Sequence, residues 1–159
     1  MESNSELFNK IKERLVKGDV NFIVIASRNG KSAINLAEKI PGVKIVSVTE
    51  FTYDDDAKKT MKRMNINYIE KTDLPIQDNR ALKDALMLLG SGVKSAFEVV
   101  TIAKDKGLID GNGISIAGSK RGLDTALFVK PVTSSEMLNS DPKKITQLLE
   151  IIKFPVSKK

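Results

Sequence analysis

Residues 20–49 read VNFIVIASRNGKSAINLAEKIPGVKIVSVT, and the succession of patterns in this stretch decides the fold. VNFIVIAS and VKIVSVT are short runs rich in Val and Ile, as strands buried on both faces of a parallel sheet require. Between them Ala33, Leu36, Ala37 and Ile40 recur at helical spacing, and the pattern stops at Pro41-Gly42. Strand, helix and strand in sequence make a βαβ unit, whose crossover is right-handed in nearly every protein.

Upstream of it, Leu7, Phe8, Ile11 and Leu15 mark a covering helix behind a Ser5 cap, ending near Gly18. Downstream, a helix over about residues 55–64 carries Ala57, Met61 and Met64 and leads to a weak strand, INYIE, and then to a loop, KTDLPIQDN. Two further helical patterns follow, one through Ala81, Leu82, Ala85, Leu86 and Leu89 before Gly90, the other through Ala96, Val99, Val100 and Ala103 before Gly107. GISIAG and DTALFVKPV are the next strands. Only seven residues, 118–124, lie between Ala117 and Thr125, fewer than a parallel crossover needs, so these two strands form an antiparallel hairpin. The tail NSDPKKITQLLEIIKF reads as a closing helix, with Ser140 or Asp141 as its cap, Pro142 at its first helical position, and Ile145, Leu148, Leu149 and Ile152 facing inward.

Composition narrows the chemistry. The 159 residues include no cysteine and no histidine, which removes disulfides, thiolate nucleophiles, Ser-His and Cys-His pairs, and nitrogen or sulfur zinc ligands. A catalyst in this chain would work with Lys, Asp, Glu, Ser, Thr or Tyr. Lys and Arg outnumber Asp and Glu by 26 to 20, for a net charge of +6, which favours anionic partners in general. Aromatic residues are only 5% and the basic residues are dispersed, so the pattern lacks the stacking platforms of single-strand binders, and no specific nucleic-acid partner is expected. With no long apolar run and no signal-like start, the expectation is a soluble cytoplasmic chain without a membrane partner.

Two loops invite a ligand. Gly30-Lys31-Ser32 ends like a nucleotide P-loop, but the first glycine of that motif would fall on Ile25, inside the strand, so it is not one. What remains at Ser27-Arg28-Asn29-Gly30-Lys31-Ser32 is a strand-to-helix turn. Its free amides and polar side chains suit a phosphate-sized anion, but by itself the motif reads first as an ordinary βα turn with an Asn-Gly bend and a serine cap. The second loop, AGSKRGLDT, has Gly118 and Gly122 for close backbone approach, Lys120 and Arg121 for charge, and Asp124 to fix the loop or accept a hydroxyl. By itself it is a hairpin with solvated basic residues. The first and fourth strands run parallel, so both loops emerge at one edge of the sheet, where open α/β sheets bind ligands if the strand order reverses between them. Asp54-Asp55-Asp56 reads as a helix start rather than a metal site.

Four segments in order, IVIASRNGKSA, VKIVSVT, AFEVVTIAKDKGLID and ISIAGSKRGLDTALFVKP, resemble the C-terminal domain of pyruvate kinase, and more closely its free-standing archaeal members. The resemblance covers about residues 20–132 and implies one such domain over 1–159. The implied fold is three-layer α/β/α with a five-stranded mixed sheet, order 3-2-1-4-5, strand five antiparallel. It also implies a non-catalytic site for a phosphosugar or flavin mononucleotide, with no pyruvate kinase activity. Its ligand-binding residues would be Ser27, Arg28, Asn29, Gly30, Lys31 and Ser32, Thr49 after the second strand, and Gly118, Ser119, Lys120, Arg121, Gly122 and Asp124. A homo-oligomer is compatible with it. Where the free-standing members carry a histidine after the second strand, this chain has TEFTYDDD. Two other classes stand beside this binding module. One is an enzyme acting on a phosphorylated metabolite, with Glu98 or Asp124 as acid/base and Lys31 or Arg121 stabilising charge. The other is a scaffolding subunit with a vestigial cradle.

Overall fold

The computed structural model describes residues 2–119, 122–137, 141 and 143–154. Along the chain run α1 (Glu2–Leu15), β1 (Ile23–Ala26), α2 (Lys31–Lys39), β2 (Ile45–Val48), α3 (Asp55–Arg63), β3 (Asn67–Ile69), α4 (Arg80–Met87), α5 (Ser91–Asp105), β4 (Gly113–Ser119), β5 (Gly122–Lys130) and β6 (Gln147–Lys153). The sheet has six strands in the order β3-β2-β1-β4-β5-β6. β1 pairs in parallel with β2 and β4, and β2 with β3, while β5 is antiparallel to β4 and β6 antiparallel to β5.

Two apolar clusters hold helices to the two faces, because successive side chains of a strand point to opposite sides. Ile23 and Ile25 of β1 pack in one cluster with Leu7, Phe8 and Ile11 of α1, Leu36 of α2 and Met61 of α3. Val24, from the same strand, packs in the other with Val93, Ala96 and Val100 of α5. The layers are therefore α1, α2 and α3 on one side and α5 on the other. α4, which buries no residue completely, packs against α5. Among the described residues no helix is long and apolar enough to cross a membrane.

The structure overturns the five-stranded sheet and the closing helix together. Residues 147–153 form the edge strand β6, paired with β5 through Leu127↔Ile151 and Phe128↔Glu150. Asp141 starts a turn rather than a helix, its carboxylate accepting from the Lys143 N–H at 2.9 Å; Ser140 and Pro142 lie outside the described residues. The physical reason is tertiary. Glu150 meets the Arg14 guanidinium at 2.8 Å, Ile152 packs on the α1 cluster, and the strand covers the edge of β5 that a helix would leave bare; Leu148 and Leu149, expected to face inward, are instead 42% and 43% exposed. At the other end Ser5 lies inside α1, which starts at Glu2, and is not its cap.

Candidate functional site

Parallel β1 stops at Ala26, and the four residues that follow turn the chain into α2. Gly30 closes the turn at φ +89°, a left-handed conformation that favours glycine. An added Cβ there would lie in ordinary contact, 3.4–3.5 Å, with Met61, Ala57 and Tyr53, so it is the backbone conformation rather than lack of space that calls for glycine. The turn's own oxygens take two of its amides: the Gly30 N–H donates to Ser27 Oγ at 3.1 Å and the Lys31 N–H to Asn29 Oδ1 at 3.0 Å. It is pinned from beneath by two hydroxyls. Tyr53 donates to the Ser27 carbonyl at 2.8 Å while sharing a 2.7 Å bond with Ser47; Thr49 donates to the Arg28 carbonyl at 3.2 Å and accepts the Phe51 N–H at 3.1 Å. Burial pushes the Tyr53 phenol up to about 12, partly opposed by its bond to Ser47. The Arg28 guanidinium lies over the Phe51 ring, 4.6 Å from its centroid, a cation–π contact on a ring that is 47% exposed.

Opposite this turn stands the start of α5. The order of the sheet reverses at β1, with β2 on one side and β4 on the other, and a cleft of about 850 Å³ opens there, the position at which open α/β sheets take ligands. Ser27, Arg28, Asn29 and Ser32 line one wall and Ser91, Lys94, Ser95 and Glu98 the other, with Gly118, Gly122 and Leu123 of the hairpin between them. α5 reaches this position because Gly92 has no side chain: a Cβ would strike the Thr125 hydroxyl and the Asp124 carboxylate. Glu98, only 2% exposed, accepts the N–H groups of Ile76 and Gln77 on Oε2 at 2.7 and 2.9 Å and the Lys94 ammonium on Oε1 at 2.9 Å. It thereby ties the loop before α4 to the cleft wall.

Seven of the thirteen ligand-binding residues nominated from sequence reach the cleft: Ser27, Arg28, Asn29, Ser32, Thr49, Gly118 and Gly122; Glu98, nominated only as an acid/base, lines it too. Three do not line it. Gly30 faces α3, Lys31 is exposed on the first turn of α2, and Asp124 turns to α5, accepting the Thr125 hydroxyl at 2.8 Å. The backbone of Ser119 pairs with Gly122; its side chain, like Lys120 and Arg121, lies outside the described residues. The presumed glycine-rich loop is largely strand, since β4 runs to Ser119 and β5 resumes at Gly122. Its glycines serve the hairpin, because a Cβ on Gly118 would collide with the Gly122 carbonyl where the β4/β5 register shifts. Asp54 caps α3, accepting the Ala57 N–H at 2.8 Å, and among the described residues no group of acidic side chains could hold a metal ion.

Ser91, Lys94 and Ser95 were not nominated from sequence. The i, i+4 spacing of Lys94 and Glu98 and the serines just after Gly90 were visible, but nothing local says that this helix faces the first loop. No family model matches the chain.

Proposed function

We propose that this chain is a binding module for a phosphorylated small molecule, a phosphosugar or a ligand of the flavin mononucleotide type, held in the cleft between the α2 turn and α5. The observation that carries this reading is the wall formed by Ser27, Arg28, Asn29 and Ser32 at the point where strand order reverses. There the amino-terminal end of α2 and a guanidinium are presented to one concave space, the combination that favours a phosphate. The resemblance of the same turn to the effector loop of the pyruvate kinase C-terminal domain supports it. So does the size of the cleft, within the range usual for small-molecule sites, with Val48, Phe51, Leu74 and Val99 offering apolar surface to a sugar face or a ring.

In this reading the chain binds and does no chemistry. Of the two carboxylates that would serve alternatively as acid/base in an enzyme, Glu98 has both oxygens taken by backbone N–H groups and Lys94, and Asp124 does not line the cleft.

Isothermal titration with inorganic phosphate and with sorbitol 6-phosphate tests the proposal. Backbone amides cannot be deleted, so the discriminating variants change charge. Arg28→Ala should weaken sorbitol 6-phosphate by about 1–3 kcal/mol, the range of a charge-assisted hydrogen bond. Ser32→Asp, which places a like charge at the turn, should abolish binding. Lys31→Ala should leave affinity unchanged, because Lys31 does not line the cleft. Parent-like affinity in both Arg28→Ala and Ser32→Asp would refute this site.

A further inference from the structure

We propose that Lys94 is a second anchor in the same cleft, and that the natural ligand carries a second acidic group, a carboxylate or another phosphate, besides the phosphate at the α2 turn. This inference rests on the phosphate reading above and adds the chemical class of the ligand's other end.

A lysine and a glutamate four residues apart on a helix are ordinarily a solvated surface pair contributing a few tenths of a kcal/mol. Lys94 and Glu98 are not on the surface. Their side chains are only 12% and 3% exposed, at 2.9 Å from each other, in the wall of the cleft. Removing an ammonium from water is costly unless its donors find partners. Nζ has three N–H donors, and among the described residues Glu98 is its only protein acceptor. Two donors are therefore left for whatever fills the space.

Glu98 does not need Lys94 alone to be satisfied, since two peptide N–H groups already bind its other oxygen. Its carboxylate is fixed by the loop at Ile76 and Gln77, and it fixes the lysine in turn. Glu98 is thus a positioning residue, while Lys94 meets the ligand. On either side of Lys94, the hydroxyls of Ser91 and Ser95 line the cleft and bond to no protein group among the described residues. An ammonium with two donors unpaired among the described residues, flanked by two such hydroxyls, matches a carboxylate or phosphate better than a neutral end, because charge-assisted bonds are the stronger ones. It lines the same cleft as the α2 turn, so one molecule carrying an acidic group at each end would meet both anchors.

Two probes isolate the second group. Sorbitol 6-phosphate and 6-phosphogluconate are open six-carbon phosphates that differ at the far end, a neutral CH2OH in one and a carboxylate in the other. The parent protein should bind 6-phosphogluconate about 10-fold tighter or more, as a charge-assisted contact implies. Lys94→Met keeps the apolar stem and should erase this preference, weakening 6-phosphogluconate more than sorbitol 6-phosphate. Lys94→Arg should retain a preference. Ser95→Asp, which adds a carboxylate to the same wall of the cleft, should erase it without replacing the lysine. Equal affinity of the parent for the two probes overturns the inference whatever the variants do, and so does a Lys94→Met variant that weakens both probes equally. Sorbitol 6-phosphate binding without preference sinks the second anchor alone. Failure of both probes to bind the parent sinks the phosphate reading and this inference with it.

Discussion

At Gly92 the missing side chain is what lets α5 approach β5. Alanine normally favours a helix over glycine by about 1 kcal/mol, but here its methyl would meet the Thr125 hydroxyl and the Asp124 carboxylate. Thr125 is fully buried and cannot give way. Overpacking of this kind costs about 1–3 kcal/mol, so Gly92→Ala should lower the urea midpoint, and a raised midpoint would contradict the close approach. Tyr53 gives a second test at this scale. Its folded phenol ionises near 12 against about 10 in an unfolded chain. Its contribution to stability is complete below the lower value and is lost as pH rises through the window to the higher one. Absorbance titration should show one of the two tyrosines ionising late. Tyr53→Phe should remove that step and flatten the alkaline fall in stability, at a cost of about 1–3 kcal/mol for the orphaned Ser27 carbonyl. The turn chemistry of Ser27, Asn29 and Gly30 was legible in their residue types. The roles of Gly92 and Tyr53 were not, because each depends on a partner far away in sequence.

At the scale of elements, the residues that bind α1 to β6 also explain why the tail is a strand and not the helix its period suggests. Arg14, 8% exposed, holds Asp19 through two nitrogens at 2.7 and 3.0 Å, holds Glu150 at 2.8 Å, and lies 4.4 Å from the centroid of Phe128. Ile145, Leu148, Leu149 and Ile152 fit a helical period, but the segment from Gln147 is an edge strand in which Glu150 is claimed by a guanidinium 136 positions earlier. Local pattern cannot arbitrate between those outcomes. The βαβ unit and the hairpin were legible because patterns there had one solution: continuous Val/Ile runs, and a connection too short to cross over. The same contacts set an acid dependence. The hydrogen bonds from Arg14 hold the Asp19 carboxyl below its ordinary range, so its contribution is complete above about 3.9, the usual aspartate value, and is lost as pH falls through the depressed folded value. Melting Asp19→Asn beside the parent should show a gap at pH 6 that closes toward pH 2. A gap independent of pH would mean that Asp19 does not act through its charge.

For the whole molecule, strand order does what no single element can. Because β1 lies between β2 and β4, the turn after β1 and the start of α5 face each other across one edge. The sequence carried the order of β1 to β5 through the resemblance and the hairpin. It did not carry the second wall, since nothing near Lys94 says which loop it will meet. β6 completes the sheet beyond β5, supplying Glu150 to Arg14 and Ile152 to the α1 cluster, and it sits on the side of β5 away from β4 and the cleft. A chain stopped at residue 133 would leave the edge of β5 unpaired, with Arg14 deprived of one carboxylate and part of the α1 cluster uncovered. A net stability of about 5–15 kcal/mol is small beside such losses, and a bare edge strand pairs readily with other chains. The truncated chain should lose its cooperative thermal transition and elute as aggregate on gel filtration. If it instead melted cooperatively as a monomer near the parent midpoint, β6 would be an appendage and the sheet of five strands sufficient by itself.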